Sequence, residues 1–350
     1  MSYWGLIMSK IRNQRVVLAA RPEGRPVPSD FRLEEVSVPA LGAGEMLLET
    51  IFLSLDPYMR GRMGLVKSYA QPVEIGGVMV GGTVAKVVQS RHPDWAEGDI
   101  VVAYSGWQRF AVSDGSGLRR IDPGAASLSS ALGALGMPGF TAYAGMRNIG
   151  KPKPGETVVV AAASGAVGSV VGQIARIHGA RAVGITTGAH KLDFVRDDLG
   201  FDAVVDHKAP DFAAKLAEAC PDGIDVYFEN VGGAVWDGVF PLLNPFARVP
   251  VCGLIAQYNH GAEPQPGLDR LPVTMREILS RSLTIRGFVM TEFWDSQRDD
   301  FLRDATQWVA DGRLRWREDI VQGLARAPDA FIGLLDGQNF GKLVVQLGEG

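Results

Sequence analysis

The stretch Ala163-Ser164-Gly165-Ala166-Val167-Gly168 has the residue types and spacing of a turn that cradles a pyrophosphate. In the pattern A-x-G-x-x-G, Gly165 lets the backbone approach the phosphates, and Gly168 lets a helix pack closely on a strand. Free N–H groups at the helix start meet the anion, with Ser164, Ala166 and Val167 completing the turn. An alanine at the first position makes the turn if its φ stays negative. The competing reading is a glycine-rich α/β turn that binds no nucleotide. Three features of context favour a dinucleotide: the apolar run Thr157–Ala162 before the turn, a helical pattern after it, and a second apolar run at Arg181–Thr186.

The next determinant lies at the end of that second run. A site for NAD places a carboxylate about 20 residues beyond the glycines, on the ribose 2′-hydroxyl. Here the segment is Ile185-Thr186-Thr187-Gly188, with Lys191 just beyond and no acid among them. A 2′-phosphate wants a cation and donors and is repelled by a carboxylate. Thr187, Gly188 and Lys191 therefore favour NADP(H), although a lysine on a helix face can also be merely solvated.

Other chemistries find little support. Only Cys220 and Cys252 occur, far apart, and the five histidines form no pair at helical ligand spacing, so no metal site is expected. Cys252 ends an apolar run and reads as core rather than nucleophile. Ser164 lacks the flanking glycines of a nucleophile elbow. Without a metal, a carbonyl needs a strong proton donor to accept hydride. A conjugated C=C accepts it at the β-carbon and leaves an enolate that hydrogen bonds stabilise. An activated alkene is thus an attractive substrate, though chemistry alone does not select it.

These residues need elements to hold them. Up to about Pro154, short apolar runs at Arg15–Ala19, Phe31–Val38, Glu45–Leu53, Thr83–Val88 and Ile100–Tyr104 are punctuated by Gly and Pro, as in a β-rich unit. After Lys151-Pro-Lys-Pro-Gly155, strands alternate with helical stretches, which predicts a parallel, doubly wound sheet. Predicted strands are Thr157–Ala162, Arg181–Thr186, Ala203–Asp206, Ile224–Glu229, Ala247–Gly253 and Leu283–Met290. A long loop is expected at Ala256–Asp269, a helix at Phe301–Asp311 and a last strand at Lys342–Leu347. The expected fold class is α/β: a β-rich unit plus a Rossmann sheet. The net charge of −4 gives no reason to expect nucleic acid or an anionic membrane as partner. No apolar run is long enough to span a bilayer, and Tyr3–Met8 lacks the features of a signal peptide. Two lone cysteines fit a reducing compartment, so a cytoplasmic protein is expected.

Several motifs together resemble one family, the zinc-independent medium-chain dehydrogenase/reductases, in the prostaglandin reductase / leukotriene B4 12-hydroxydehydrogenase group. They are Leu53-Ser-Leu-Asp-Pro-Tyr-Met-Arg60, Gly136-Met-Pro-Gly-Phe-Thr-Ala-Tyr143, Ala162–Gly168, Phe228-Glu-Asn-Val-Gly-Gly233, Val251-Cys-Gly253 with Gln257-Tyr-Asn259, and Gly337-Gln-Asn-Phe-Gly-Lys342. The bacterial curcumin-reductase-like branch looks nearest, from Pro266–Thr274 and Phe331–Leu335. The resemblance implies a GroES-like domain over residues 1–135, completed by about 300–350, and a Rossmann domain over 136–299. It implies NADPH, a homodimer, and reduction of the C=C bond of α,β-unsaturated ketones and aldehydes. A quinone reductase of the same superfamily, or an NADP-binding sensor without turnover, are the alternatives.

By motif match, Lys191 and Gly188 would hold the 2′-phosphate and Asn230 would lie near the nicotinamide ribose. Asn339, Cys252 and Gly253 would contact cofactor, Met137 and Thr141 would line the nicotinamide side, and Phe288 and Val289 would lie near its amide. Tyr58 and Tyr258 would line the substrate cleft. Where the family often has Asp-Tyr-Lys, this chain has Asp206-His207-Lys208, and His207 would have to replace the tyrosine. Tyr258, in a loop past a strand's C-terminal end, is the expected proton donor or enolate stabiliser, against the alternative of a tyrosine that only shapes the pocket.

Overall fold

A computed structural model describes residues 11–66, 68–122, 124, 127–260 and 270–348. The patch Tyr3–Met8 and the second half of the 256–269 loop lie outside the described residues.

The N-terminal unit is built on short strands. β1 (Arg12–Leu18) and β2 (Phe31–Ser37) form an antiparallel pair. A larger sheet takes β3 (Met46–Ser54), β4 (Thr83–Ser90), β5 (Ile100–Ala103), β6 (Phe110–Ser113) and β7 (Arg119–Arg120). A single helical turn, α1 (Met59–Arg62), follows β3. Trp107 is fully buried at the centre of this unit, stacked on Phe31 at 5.6 Å and edge-on to Phe331. Trp107 is therefore a core residue.

Residues 157–287 form a six-stranded parallel sheet of β8 (Thr157–Ala161), β9 (Arg181–Thr186), β10 (Ala203–Asp206), β11 (Ile224–Phe228), β12 (Leu243–Val251) and β13 (Thr284–Gly287). Its order is β10-β9-β8-β11-β12-β13. The chain order thus reverses between β8 and β11, the position where doubly wound sheets bind ligands. β8 is buried throughout and apolar after Thr157 because helices cover both its faces. Val158 and Val160 join a cluster with α2 (Met137–Gly145), α3 (Gly168–Ile177) and, in α8 (Thr291–Ala310), the stripe Phe301, Ala305 and Trp308. Val159 and Ala161 join the opposite cluster, with α5 (Phe212–Ala219) and α6 (Gly233–Val239). The short α4 (Ala189–Asp193) follows β9. α7 (Leu271–Arg281) lies before β13, and no residue of it is buried.

The chain then returns to the first unit. β14 (Glu318–Gln322) pairs with β15 (Lys342–Gln346), and β15 pairs antiparallel with β3. α9 (Ala327–Leu335) supplies Phe331 to the Trp107 cluster.

Three elements differ from the sequence expectation for physical reasons. α2 and α9 carry Pro at the first helical positions, where its missing N–H costs nothing. Read as breakers, such prolines conceal the helix. α8 begins ten residues before the predicted Phe301, because its first half is polar and shows no apolar stripe. Among the described residues no helix is long and apolar enough to cross a membrane.

Candidate active site

The phosphate turn begins where β8 stops. Ala162 takes the left-handed conformation (φ 53°), while Ala163 does not, and Ala163 N–H donates to Ile185 O across β9. The chain then folds tightly enough for Gly165 N–H to reach Ala162 O at 2.9 Å. A Cβ on Gly168 would stand 2.3 Å from that same carbonyl oxygen, so only glycine lets α3 start this close to the strand. No side chain caps α3; Ser169 and Val170 N–H turn back to Gly165 O and Val167 O, while the turn around Ala166–Gly168 and the positive end of the helix dipole face the cleft. Ser164 ties the turn to the end of β9 by a 2.8 Å hydroxyl contact with Thr186.

Beyond β9 lies a corner built from three segments. Gly188 has φ 92° and starts α4, which carries Lys191. Lys191 Nζ donates to Gly337 O at 2.7 Å, from the segment that precedes β15. Burial lowers the Lys191 ammonium pKa, Asp319 opposes the shift and nearby Lys208 adds to it. The Lys208 charge thus adds to the positive field at Lys191. Asp206, at the end of β10, also reaches this corner. Burial would raise its carboxyl pKa. Hydrogen bonds from Lys208 N–H, Thr187 hydroxyl and Gly188 N–H outweigh that and hold it below the usual range. Sequence reasoning searched for an acid only on β9; the acid stands on the neighbouring strand, already engaged by the loop's own donors. The His207 ring donates from Nδ1 to Thr186 O at 3.1 Å, since a carbonyl can only accept, and Nε2 is left uncommitted.

From this corner a cleft of about 420 Å³ runs between the two units. Of the residues expected to contact cofactor or substrate, all but Gly188 line it. Asn230 donates from its side chain to Ala161 O at 2.9 Å; it does not cap α6, whose N-cap is Gly232. Glu229, 1% exposed, accepts from Tyr227 hydroxyl and from the N–H groups of Val231 and Gly232, all at one oxygen. Its other oxygen has no partner, and burial raises its pKa. Burial, with Glu229 nearby, pushes the Cys252 thiol up to about 12, so it stays protonated at neutral pH. The Thr141 hydroxyl donates to Met137 O within α2. Asn339 donates to Gly341 O, and Gly341 bridges Gly165 in the phosphate turn.

Both tyrosines expected in the cleft line it. Tyr258 sits past β12, its oxygen accepting from Leu254 N–H at 3.4 Å, and burial pushes its pKa up to about 12. A Cβ on Gly253 would come within 3.0 Å of that oxygen, so the glycine makes room for it. Tyr58, at the start of α1, is raised further by burial and by Asp56. Trp294 is not in the cleft lining; it packs edge-on against Phe140 at 4.9 Å.

The chain matches a family described as the N-terminal domain of oxidoreductase over residues 14–121 and one described as zinc-binding dehydrogenase over residues 166–311. It is 53% identical to an NADPH-dependent curcumin reductase of Escherichia coli over 97% of this chain and 98% of that one. It belongs to the zinc-independent medium-chain dehydrogenase/reductases. Within them it is also 41% identical to prostaglandin reductase 1 of Rattus norvegicus, over 93% of this chain and 96% of that one. The crystal structure of CurA in complex with NADPH from Vibrio vulnificus superposes with a TM-score of 0.93 at 51% identity, covering 96% of this chain and all of that one.

For a member of this group, the donor set answers the question of zinc raised by the second family's description. Among the described residues no three His, Cys, Asp or Glu side chains come together, so a zinc ion does not fit. A nicotinamide dinucleotide does: an uncapped helix start, a glycine no other residue replaces, and the ammonium of Lys191 lie along one cleft. Reductases of this group also need a substrate end, and sequence reasoning missed part of it. Tyr69 lines the cleft in a loop with no periodicity to mark it. Lys342 lines it too, and its ammonium, 3% exposed, pairs with Asp56 at 2.9 Å. Both partners stood inside quoted motifs; nothing in either motif says that they meet.

Proposed function

We propose that this protein reduces the C=C bond of α,β-unsaturated ketones and aldehydes with NADPH, without a metal, by hydride delivery to the β-carbon. When bound, NADPH supplies the hydride. The phosphate turn and the start of α3 bind the pyrophosphate. Lys191 holds the 2′-phosphate, with Thr187 and His207 beside it; Gly188, outside the cleft lining and with its N–H on Asp206, shapes the turn that carries Lys191 rather than touching the phosphate. Met137, Thr141, Asn230, Cys252, Gly253, Phe288, Val289 and Asn339 contact the nicotinamide half.

The observation that carries the reading is Tyr258. Its pKa near 12 keeps the hydroxyl protonated at neutral pH. The Leu254 N–H occupies an acceptor site of the phenol oxygen, so the O–H proton is directed elsewhere. In the cleft it donates to the oxygen of the enolate as negative charge develops there. The α-carbon then takes a proton from Tyr258 or from water. Tyr58 shapes the other wall. The two walls hold the alkene in one orientation, which supplies much of the entropic advantage.

The test is a substrate panel with 4-deuterated NADPH. Enones and enals should lose the C=C with deuterium at the β-carbon, and saturated ketones should not react. Tyr258→Phe should lower kcat by roughly 10²- to 10³-fold if its hydrogen bond forms chiefly in the transition state. Turnover of quinones alone would redirect the assignment to a quinone reductase. NADPH binding with no acceptor turned over would mark a sensor.

We draw the first domain limit at 135/136 and move the second from 299 to about 310, because α8 (Thr291–Ala310) is one helix and packs on α2 of the Rossmann unit. A homodimer is supported by β13, paired on one side only among the described residues, and by exposed apolar Val273, Met275 and Leu279 on the neighbouring α7. Sedimentation velocity tests it. Two free thiols support a reducing, cytoplasmic setting.

A further inference from the structure

The turn that follows β3 is fixed at both ends. At its head, the Asp56 carboxylate pairs with Lys342 at 2.9 Å and accepts from the Ser54 hydroxyl, while Lys342 also donates to Leu55 O at 2.8 Å. At its tail is Arg60, 5% exposed. Its guanidinium donates through one terminal nitrogen to Gly24 O at 2.8 Å and through Nε to Asn259 Oδ1 at 3.3 Å. Gly24 belongs to the substrate unit; Asn259 is the neighbour of Tyr258, on the loop that leaves the Rossmann sheet. Arg60 therefore crosses from one unit to the other.

The loop has few other anchors. Its start hangs from the cofactor side, by Ile255 N–H to Asn230 O and Ala256 N–H to Val231 O. Among the described residues, the backbone of its far end bonds locally, Tyr258 N–H to Ile255 O and His260 N–H to Gln257 O. Arg60 forms no ion pair among the described residues; Asp30, whose charge favours its cationic form, accepts from Val27 N–H. A buried cation held only by neutral acceptors is a costly way to stabilise a fold. Its return here is geometric.

We infer that Arg60 is a positioning residue for Tyr258: from a turn locked by the Asp56–Lys342 pair, it holds Asn259 and so sets where the phenol stands relative to the substrate. The inference rests on Tyr258 being the donor to the enolate, but the hold on the loop is measurable without turnover.

The test uses hydrogen–deuterium exchange on the full-length protein with NADPH bound, read in peptides covering residues 253–260. Asn259→Ala and Arg60→Ala should each speed exchange there by roughly 10-fold, the value of one hydrogen bond to a charged group. Arg60→Lys, which keeps the charge but not the two-way reach, should fall between. Asn259→Asp, which turns the contact into an ion pair, should slow exchange. If Arg60→Ala does not fold, the two Asn259 variants carry the test alone, since they leave the buried residue in place. Enone turnover then separates the two ideas. Asn259→Ala should lower kcat more than it raises KM, and the loss should vanish in a Tyr258→Phe background. Faster exchange with a Tyr258→Phe enzyme of unchanged kcat would support the hold on the loop and remove Tyr258 from the chemistry. Unchanged exchange in folded variants, or kcat losses that multiply with Tyr258→Phe, would overturn the inference.

Discussion

Replacing Lys191 by alanine isolates the corner expected to read the 2′-phosphate. In the structure its ammonium is half-buried, donates to Gly337 O at 2.7 Å and shares its surroundings with Lys208. With the phosphate bound, Lys191 would make a charge-assisted hydrogen bond, worth about 1.5–3 kcal/mol when the partner is ionised. The nearby Lys208 keeps part of the favourable field after the substitution, so the lower half of that range is expected. That is a loss of roughly 10- to 40-fold in NADPH affinity, taking 1.4 kcal/mol as a factor of ten. NADH lacks the phosphate and should lose less than about 2-fold, since Gly337 O can exchange its lysine partner for water. Titrating both nucleotides by nicotinamide fluorescence gives the two dissociation constants directly. The salt dependence of NADPH binding should also flatten in the variant, because one charge pair has gone. Equal losses for NADPH and NADH would refute the placement of the phosphate, and an unchanged NADPH affinity would leave Lys208 and the loop amides as its site.

Gly168→Ala puts a methyl 2.3 Å from Ala162 O, a backbone atom that cannot yield cheaply. A loss of about 1–3 kcal/mol in stability and weaker NADPH binding should follow, by denaturant melts and titration. Lys342→Met leaves Asp56 buried without its cation, which should cost about 3–5 kcal/mol, while the double variant with Asp56→Asn should recover most of it. Glu229 has its carboxyl pKa raised in the fold by burial, against the hydrogen bonds it accepts from Val231, Gly232 and Tyr227. Stability tied to its protonated form is full below the ordinary value of 4.5 and is lost as pH rises through the raised native value. Denaturant melts from acid to neutral pH should therefore show the wild type losing stability relative to Glu229→Gln; parallel profiles would contradict it.

Much of the nucleotide half could be read from local pattern. The unbroken run at β8 announces a strand covered on both faces, and Val158/Val159/Val160 alternate between two helical layers as a period of two requires. Gly168 could be read because the clash it avoids is with atoms six residues away or fewer. The substrate half was harder. Tyr58 stood out only inside a motif, Tyr258 through a motif and its place past a strand end, and Tyr69 did not stand out at all.

Taken alone, the sequence determined a dinucleotide turn, the lack of an acid after β9, the lack of metal-ligand spacing and the alternation that makes a parallel sheet. Each is a property of residues within one turn of helix or one strand–turn–helix unit, where chain geometry couples neighbours directly. Only the tertiary structure decided that Asp206 serves the β9 loop, that Lys191 reaches Gly337, that Gly341 bridges Gly165, and that Asp56 and Arg60 clasp Lys342 and Asn259. These contacts depend on how β15 lies beside β3 and how two units face each other. That packing is set by burial summed over the whole chain, and no local period encodes it.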